Sequence, residues 1–204
     1  MAINATNTGN AIELIPPGSY VARCYSMIHI GTINVEYQGQ TKMLNKVRLT
    51  FELPTELRVF NEEKGEQPMV KSKEFTLSMH EKSTLRQFLE SWRGKGFTDE
   101  ESKLFDITKL LGIDCMLSII HKESKNGGNY ADISSISRIP KGMKCPPQVN
   151  ENFEFNFEDK FNIQVLESFP DFIKDKIKSS QEYIKITGDL EEIELQKEDE
   201  DLPF

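Results

Sequence analysis

The clearest hydrophobic pattern in this chain is a strict alternation of apolar and polar residues between positions 46 and 53. A period of two places the apolar side chains on the core-facing side of a β-strand and the polar side chains on its opposite side. Proline cannot donate to a strand ladder, so Pro54 is predicted to end this strand. The apolar set is Val47, Leu49, Phe51 and Leu53, and the polar set is Lys46, Arg48, Thr50 and Glu52.

Other segments rich in β-branched and aromatic residues also predict strands. Turn signals separate them, including Gly39, a charged loop at 60–68 and the sequence "SKNGGN" before the last strand. The predicted strands therefore cover residues 19–30, 33–54 with a turn around Gly39, 69–79, 113–123 and 129–139.

Between the third and fourth strands, the hydrophobic period changes to that of a helix. Ser83 is predicted to cap this helix, and Gly94 or Gly96 is predicted to end it. Because Trp92 lies on the apolar face, we expect it to pack in the core rather than to bind a ligand. The residues with helical spacing are Leu85, Phe88, Leu89 and Trp92.

Three strands, a helix and two further strands form the element order of the OB-fold. This small five-stranded barrel binds single strands or oligosaccharides across one open face. We therefore predict a mainly β protein with an OB-fold domain at residues 19–142 and an N-terminal arm at 1–18. Other small barrels and α+β sheets share this order, so they stay open as alternatives.

The pattern weakens after residue 142, and residues 143–188 are predicted to be a linker with a short amphipathic helix. A helix over 168–183 would have Ser168 as its cap, Pro170 in its first turn and Asp171 completing a capping box. Its apolar side would consist of Phe169, Phe172, Ile173 and Ile177.

Three phenylalanines, Phe153, Phe155 and Phe157, alternate with polar residues just before this helix. Three interpretations stay open for them. The rings cover part of the barrel, they add a strand to a neighbouring protomer, or they lie in the DNA groove as an imitation of a strand.

Charge is distributed unevenly along the chain. Residues 1–142 contain 18 basic and 17 acidic residues, whereas residues 143–204 contain 7 and 16. The net charge of -8 therefore belongs to the C-terminal part and leaves the first part free to carry a basic face. Low hydrophobicity and like charge predict that residues 189–204 form a disordered acidic tail.

Basic and aromatic residues on the predicted strands form a candidate binding surface. Single-strand binding uses cations that follow the phosphates and rings on which bases stack, at about 1–3 kcal/mol per base. Taken singly, each lysine also fits a solvated strand face, and each tyrosine also fits the core. The predicted DNA-binding residues are Arg23, Tyr25, Lys42, Lys46, Arg48, Lys71, Lys73, Lys122, Lys125 and Tyr130.

The sequence contains no phosphate-binding, dinucleotide-binding, zinc-protease or serine-hydrolase motif. We therefore expect no enzyme activity, no catalytic residue, no cofactor and no metal site. Cys24, Cys115 and Cys145 lack the spacing of metal ligands. We expect them to be mainly buried thiols, and the compartment to be reducing. The chain has neither a membrane-length apolar run nor a secretory signal, so no membrane partner and a cytoplasmic location are expected.

The sequence "DEDLPF" at residues 199–204 resembles the acidic tip of bacterial single-stranded DNA-binding proteins. The barrel region and the segment "FPDFIKDKIKSSQEY" resemble phage single-stranded DNA-binding proteins of the OB-fold type. The chain lacks the glycine- and glutamine-rich linker of the bacterial proteins, has a longer barrel and has a helix before the tail, so their tetrameric assembly is not implied. The resemblance implies a tip that docks replication, recombination and repair proteins, formed by Asp199, Asp201, Leu202, Pro203 and Phe204.

Two functions of different classes follow from these observations. In the first, the protein coats and protects single-stranded DNA without sequence specificity during phage DNA replication and recombination, in the host bacterial cytoplasm, and recruits partners through its tip. In the second, it is an acidic adaptor or DNA mimic that docks on replication or nuclease proteins without binding DNA. Self-association, site size and binding of duplex DNA or RNA stay open.

Overall fold

The computed structural model describes residues 14–37, 39–124, 127–158 and 161–188. They form a mainly β structure, as predicted, in which a five-stranded antiparallel sheet curls into a half-barrel. The strands are β1 (Gly18–Tyr37), β2 (Gln40–Asn61), β3 (Gly65–Thr76), β4 (Asp114–Glu123), β5 (Asn129–Ser137) and a short β6 (Phe153–Phe155). The helices are α1 (Thr84–Arg93), α2 (Asp99–Leu104), α3 (Ile163–Glu167) and α4 (Asp171–Lys178), and residues 181–188 are also helical.

The strands are ordered β3-β2-β1-β4-β5 across the sheet. The central strand β1 pairs with β2 along one side, while β4 pairs with its first part on the other side. Where β4 leaves, β6 continues the pairing in parallel, with Ser26 opposite Phe153 and Ile28 opposite Phe155. Both α1 and α2 lie in the connection between β3 and β4.

The first core lies on the inner side of the sheet and is closed by α1. The alternation predicted for β2 is confirmed, since Val47, Leu49, Phe51 and Leu53 are all buried there. Trp92 packs in the same core, with its ring centroid 5.6 Å from that of Phe51. The predicted helix cap is also confirmed, because the Ser83 hydroxyl accepts a hydrogen bond from the Arg86 N–H, and Gly94 ends the helix at a φ of 64°.

The predicted end of β2 at Pro54 is wrong. The strand continues to Asn61, and the pairing with β3 jumps from Leu53 opposite Met69 to Leu57 opposite Pro68. Pro54 therefore lies in a bulge, where no ladder hydrogen bond is required of it. The predicted loop at 60–68 is consequently a hairpin end in which β3 already begins at Gly65.

A second core lies on the outer side of the sheet, where the C-terminal segment covers β1. Phe155 of β6 and Ile173 and Ile177 of α4 are buried against Ile28 and Ile30. Of the three interpretations of the phenylalanine stripe, the first is the one found: these rings cover part of the half-barrel. The sequence pattern alone could not choose, because alternation is equally typical of a strand that pairs within its own chain or with a neighbour.

The single helix predicted over 168–183 is wrong, because the segment forms several shorter helices. Ser168 ends α3 instead of starting a helix, and its hydroxyl donates a 2.6 Å hydrogen bond to the carbonyl of Val165. Pro170 precedes α4 without any side-chain cap, so the predicted capping box with Asp171 is absent. Phe172 is exposed rather than part of the buried apolar side.

The sheet does not close by backbone pairing, because β3 pairs only with β2 and β5 only with β4 in the described part of the chain. We call the gap between β3 and β5 the seam. Lys73 crosses it, since its Nζ lies 3.2 Å from Asp132 Oδ1 and also donates to the carbonyl of Ile133.

Residues 143–150 run along the half-barrel instead of leading away from it. The N–H groups of Val149 and Asn150 donate to the buried carboxylate of Glu52 on β2. Most of the predicted N-terminal arm and all of the predicted tail, 189–204, lie outside the described residues. None of the helices in the described ranges is long and apolar enough to cross a membrane.

Candidate nucleic-acid interface

The register between β2 and β3 divides the predicted lysines and arginines between two faces of the sheet. Lys46 and Arg48 stand opposite Thr76 and Glu74, on the outer face. Residues opposite each other in a ladder share a face. Lys71 and Lys73, which stand opposite the buried Phe51 and Leu49, therefore belong to the inner face and emerge at the seam.

On the outer face, α4 covers part of the sheet and adds charge to it. Arg48 Nη1 lies 3.0 Å from Glu74 Oε1, and Lys176 Nζ of α4 lies 2.7 Å from Glu74 Oε2. Lys46 Nζ donates to the Thr76 hydroxyl at 3.0 Å. Burial lowers the pKa of Lys46, and the positive charge of Lys176 acts in the same direction, while Glu74 opposes it.

At the seam, a second carboxylate is held between two lysines. Asp132 accepts from Lys73 at 3.2 Å and from Lys122 at 2.6 Å. Burial alone would raise the pKa of Asp132, but the hydrogen bonds from Lys122 and Lys73 outweigh it and hold the pKa below its usual range. Tyr130 stands opposite Lys122 in the β4–β5 hairpin and is 43% exposed.

Lys71 lies two residues before Lys73 on the same face of β3 and differs from its neighbours. Within the described ranges its ammonium group has neither a hydrogen bond nor an ion pair. Burial lowers the pKa of Lys71, the charge of Asp132 opposes this, and the positive charges of Arg48 and Lys73 lower the pKa further. Lys71 is thus a partly buried cation whose nearest charged groups include two other cations.

We call this continuous basic region the β3 surface. It contains residues from both faces of β3 and from β2, β4, β5 and α4. Its six cations face two carboxylates, which leaves a net charge of +4 for these eight residues. The members are Lys46, Arg48, Lys71, Lys73, Lys122, Lys176, Glu74 and Asp132.

Exposed aromatic rings border the β3 surface. Phe172 of α4 is 54% exposed, and the guanidinium of Arg48 lies 5.4 Å from the centroid of its ring. Phe60, near the end of β2, is 67% exposed. It lines a groove of about 240 Å³ together with Val70, Lys71 and Ala131. A ring beside a cation is the combination that stacks a base and binds its phosphate.

Of the predicted residues, Tyr130 borders the β3 surface, and four others are not part of it. Arg23 is directed toward the buried carboxylate of Glu52, 3.8 Å away, and so has a structural position. Tyr25 is half-buried, and burial followed by the charge of Glu52 raises its pKa. Lys42 is exposed on the β1–β2 hairpin, and Lys125 lies outside the described residues.

The sequence pattern does not indicate five residues at or beside this surface, which are Glu74, Asp132, Lys176, Phe60 and Phe172. The pattern places Phe60 in a charged loop, although a lone ring among charged residues is a signal for an exposed contact. It places Phe172 on the apolar side of a helix. Lys176 carried no signal, since only the fold shows that α4 lies on the outer face of the sheet.

The described structure also contains a cavity that is separate from the β3 surface. This cavity of about 510 Å³, lined in part by His29, Phe105 and Phe155, shares no residue with the β3 surface. No group of three or more His, Cys, Asp or Glu side chains in the described ranges could hold a metal ion. Cys24 and Cys115 are buried thiols, as predicted, while Cys145 is partly exposed. No protein-family model and no curated protein sequence matches this chain.

Proposed function

We propose that this protein binds single-stranded DNA without sequence specificity, through the β3 surface of an OB-fold. The half-barrel supports this assignment by its strand order and by the position of α1 between β3 and β4. OB-folds bind oligonucleotides across strands two and three and the loop between strands four and five. The β3 surface includes residues of the corresponding strands and of the β4–β5 hairpin.

The observation that carries the proposal is the environment of Lys71. An exposed lysine that only aids solubility is surrounded by water and keeps its ordinary pKa. Lys71 is instead partly buried, the charges of Asp132, Arg48 and Lys73 act on it, and it has no ion-pair partner among the described residues. Clustered cations repel one another, and a bound phosphate relieves that repulsion.

The exposed rings support single-stranded rather than duplex nucleic acid as the ligand. Bases of a single strand are free to stack on protein side chains, whereas paired bases already stack on each other. Phe60 at the groove, Tyr130 at the β4–β5 hairpin and Phe172 beside Arg48 are available for this contact. Stacking needs no base-specific hydrogen bond, so binding without sequence preference is expected.

A fluorescence-anisotropy titration with labelled oligothymidine tests the proposal. We expect binding whose affinity falls with salt, with a slope of about -0.7 per phosphate neutralised. Lys71→Glu should weaken binding at least tenfold. Lys109→Glu is the matched control, because Lys109 is an exposed lysine close to the start of β4, at the end of the sheet away from the β4–β5 hairpin.

Two results would contradict the proposal. One is the absence of binding to oligothymidine at low salt, which would favour the adaptor or DNA-mimic alternative. The other is an equal effect of Lys71→Glu and Lys109→Glu, which would mean that net charge, and not the β3 surface, determines affinity.

We further propose that the tip formed by Asp199, Asp201, Leu202, Pro203 and Phe204 docks replication, recombination or repair proteins. The support is the resemblance of "DEDLPF" to the tip of bacterial single-stranded DNA-binding proteins. An apolar ring behind a run of acids fits a partner with an apolar pocket and a basic rim. Phage DNA replication and recombination, in the bacterial cytoplasm, is the setting that this resemblance favours.

A further inference from the structure

We propose that Glu74 and Asp132 occupy two phosphate positions of the β3 surface and are displaced from their cations when a single strand binds. Each carboxylate is held by two cations from different elements of the fold. This inference rests on the proposed DNA-binding function and adds to it where the phosphates lie and what competes with them.

The first position is on the outer face. Glu74 of β3 accepts hydrogen bonds from Arg48 of β2 at 3.0 Å and from Lys176 of α4 at 2.9 and 2.7 Å. The guanidinium of Arg48 also lies 5.4 Å from the centroid of the exposed Phe172 ring. A phosphate placed between Arg48 and Lys176 would therefore have a stacking ring beside it for the adjoining base.

The second position is at the seam. Asp132 of β5 accepts from Lys73 of β3 at 3.2 Å and from Lys122 of β4 at 2.6 Å. Tyr130, opposite Lys122, provides the neighbouring ring. Lys71 lies two residues before Lys73 on the same face of β3, and the charges of Asp132, Arg48 and Lys73 act on it. The surface thus has the same arrangement of ring, cation pair and carboxylate at two positions, one on the outer face and one at the seam.

A carboxylate and a phosphodiester present similar oxygen acceptors and one negative charge, so they can exchange at the same pair of cations. In the free protein the carboxylate prevents repulsion within each pair. A phosphate that replaces it does the same and adds the release of counterions from the DNA. The two carboxylates are therefore internal competitors that lower affinity for the strand.

The chain provides a matched control for this idea. Glu101 of α2 is also held by two cations, at 3.4 Å from Arg93 and 3.3 Å from Lys95. None of these three residues belongs to the β3 surface. Removing the charge of Glu101 changes the net charge of the protein by the same amount as removing that of Glu74 or Asp132. It also removes a carboxylate that lies between two cations.

The experiment compares Glu74→Gln, Asp132→Asn and Glu101→Gln in the full chain, with labelled oligothymidine at several salt concentrations. We expect Glu74→Gln and Asp132→Asn each to tighten binding about two- to fivefold, the range given by partly exposed ion pairs. The slope of the salt dependence should stay close to that of the parent, because the same two positions hold a phosphate in the complex of the parent and of each variant. Glu101→Gln should bind like the parent.

Thermal melting gives a second readout that does not depend on affinity alone. Without DNA, the two surface variants should melt below the parent, because each leaves two cations without their carboxylate. Saturating oligothymidine should raise their melting temperature by more than it raises that of the parent, since a ligand that binds the folded state more tightly stabilises it more.

The possible failures are distinguishable. If Lys71→Glu abolishes binding but Glu74→Gln and Asp132→Asn bind no better than Glu101→Gln, the DNA-binding function stands and this inference is wrong. If neither the parent nor any variant binds oligothymidine, the proposed function and the inference fall together. Weaker binding by both surface variants would show that the carboxylates position the cations and do not compete with phosphate.

Discussion

Asn150 donates two hydrogen bonds to the same oxygen of Glu52, one from its backbone N–H and one from its side-chain amide, each 2.8 Å long. Glu52 is fully buried on β2, 98 residues earlier in the chain. The N–H of Val149 donates to the same carboxylate. This contact fastens the segment that follows β5 to the outer face of the sheet.

We expect Glu52→Gln to destabilise the fold by about 1–3 kcal/mol, because an amide NH2 group would then face buried N–H donors. The free energy of unfolding in urea is the measurement. Glu66→Gln, an exposed position on β3, is the control and should change stability little. Equal stability of the two variants would show that the buried carboxylate does not hold the C-terminal segment in place.

Gly31→Ala should destabilise the contact between β1 and the helical residues 181–188. A Cβ atom at Gly31 would lie 2.7 Å from Ser180 Cβ and 2.7 Å from Glu182 Oε2, at a φ of +91°. Gly39→Ala is the matched control, since its φ is +74° and its Cβ would meet nothing within 4 Å. Both substitutions carry backbone strain of about 1–2 kcal/mol, so an additional loss of melting temperature at Gly31 measures the clash. If Gly31→Ala lowers the melting temperature no more than Gly39→Ala does, the helical residues 181–188 do not pack against β1 at this glycine.

The exposed rings should contribute to DNA binding without affecting the salt dependence. Phe60→Ala and Phe172→Ala should each weaken oligothymidine binding about tenfold, since stacking is worth about 1–3 kcal/mol per base. Anisotropy titrations measure this, and Leu104→Ala, at a highly exposed apolar residue on α2, is the control. A loss in the ring variants no greater than in the control would mean that binding is purely electrostatic.

Phe204→Ala should weaken recruitment of a replication protein and leave DNA binding unchanged. Full burial of a phenylalanine is worth about 1.5–3 kcal/mol, so we expect a loss of one to two powers of ten in affinity for the partner. Pull-down of replication proteins from infected cells, beside an oligothymidine titration, is the measurement. If the variant recruits replication proteins as well as the parent does, the acidic segment only aids solubility and does not dock partners.

Much of the half-barrel could be predicted from local patterns. The period of two in β2 predicts which residues enter the first core, and the helical spacing with Ser83 and Gly94 predicts α1 almost to the residue. These features depend on neighbouring residues only. The path of β2 through Pro54 could not be predicted, because a bulge depends on how β3 pairs with it.

The candidate site was harder to predict than the fold, because it depends on register. Lys46 and Lys71 both follow a strand pattern, but only the pairing of β2 with β3 shows that they lie on opposite faces. We would expect Lys46 and Arg48 to be free of structural contacts from their alternation alone. Arg48 instead joins Glu74 and the α4 ring Phe172, so reversing its charge would also disturb the packing of α4.

The open seam also bears on edge-to-edge pairing between molecules. Unpaired strand edges invite pairing with the edge of another molecule, and charged side chains, lysine above all, oppose such aggregation. The edge of β3 carries Lys71 and Lys73, and an incoming strand would have to strip water from both ammonium groups. We therefore expect Lys71 and Lys73, which we assign to phosphate binding, also to oppose edge-to-edge assembly.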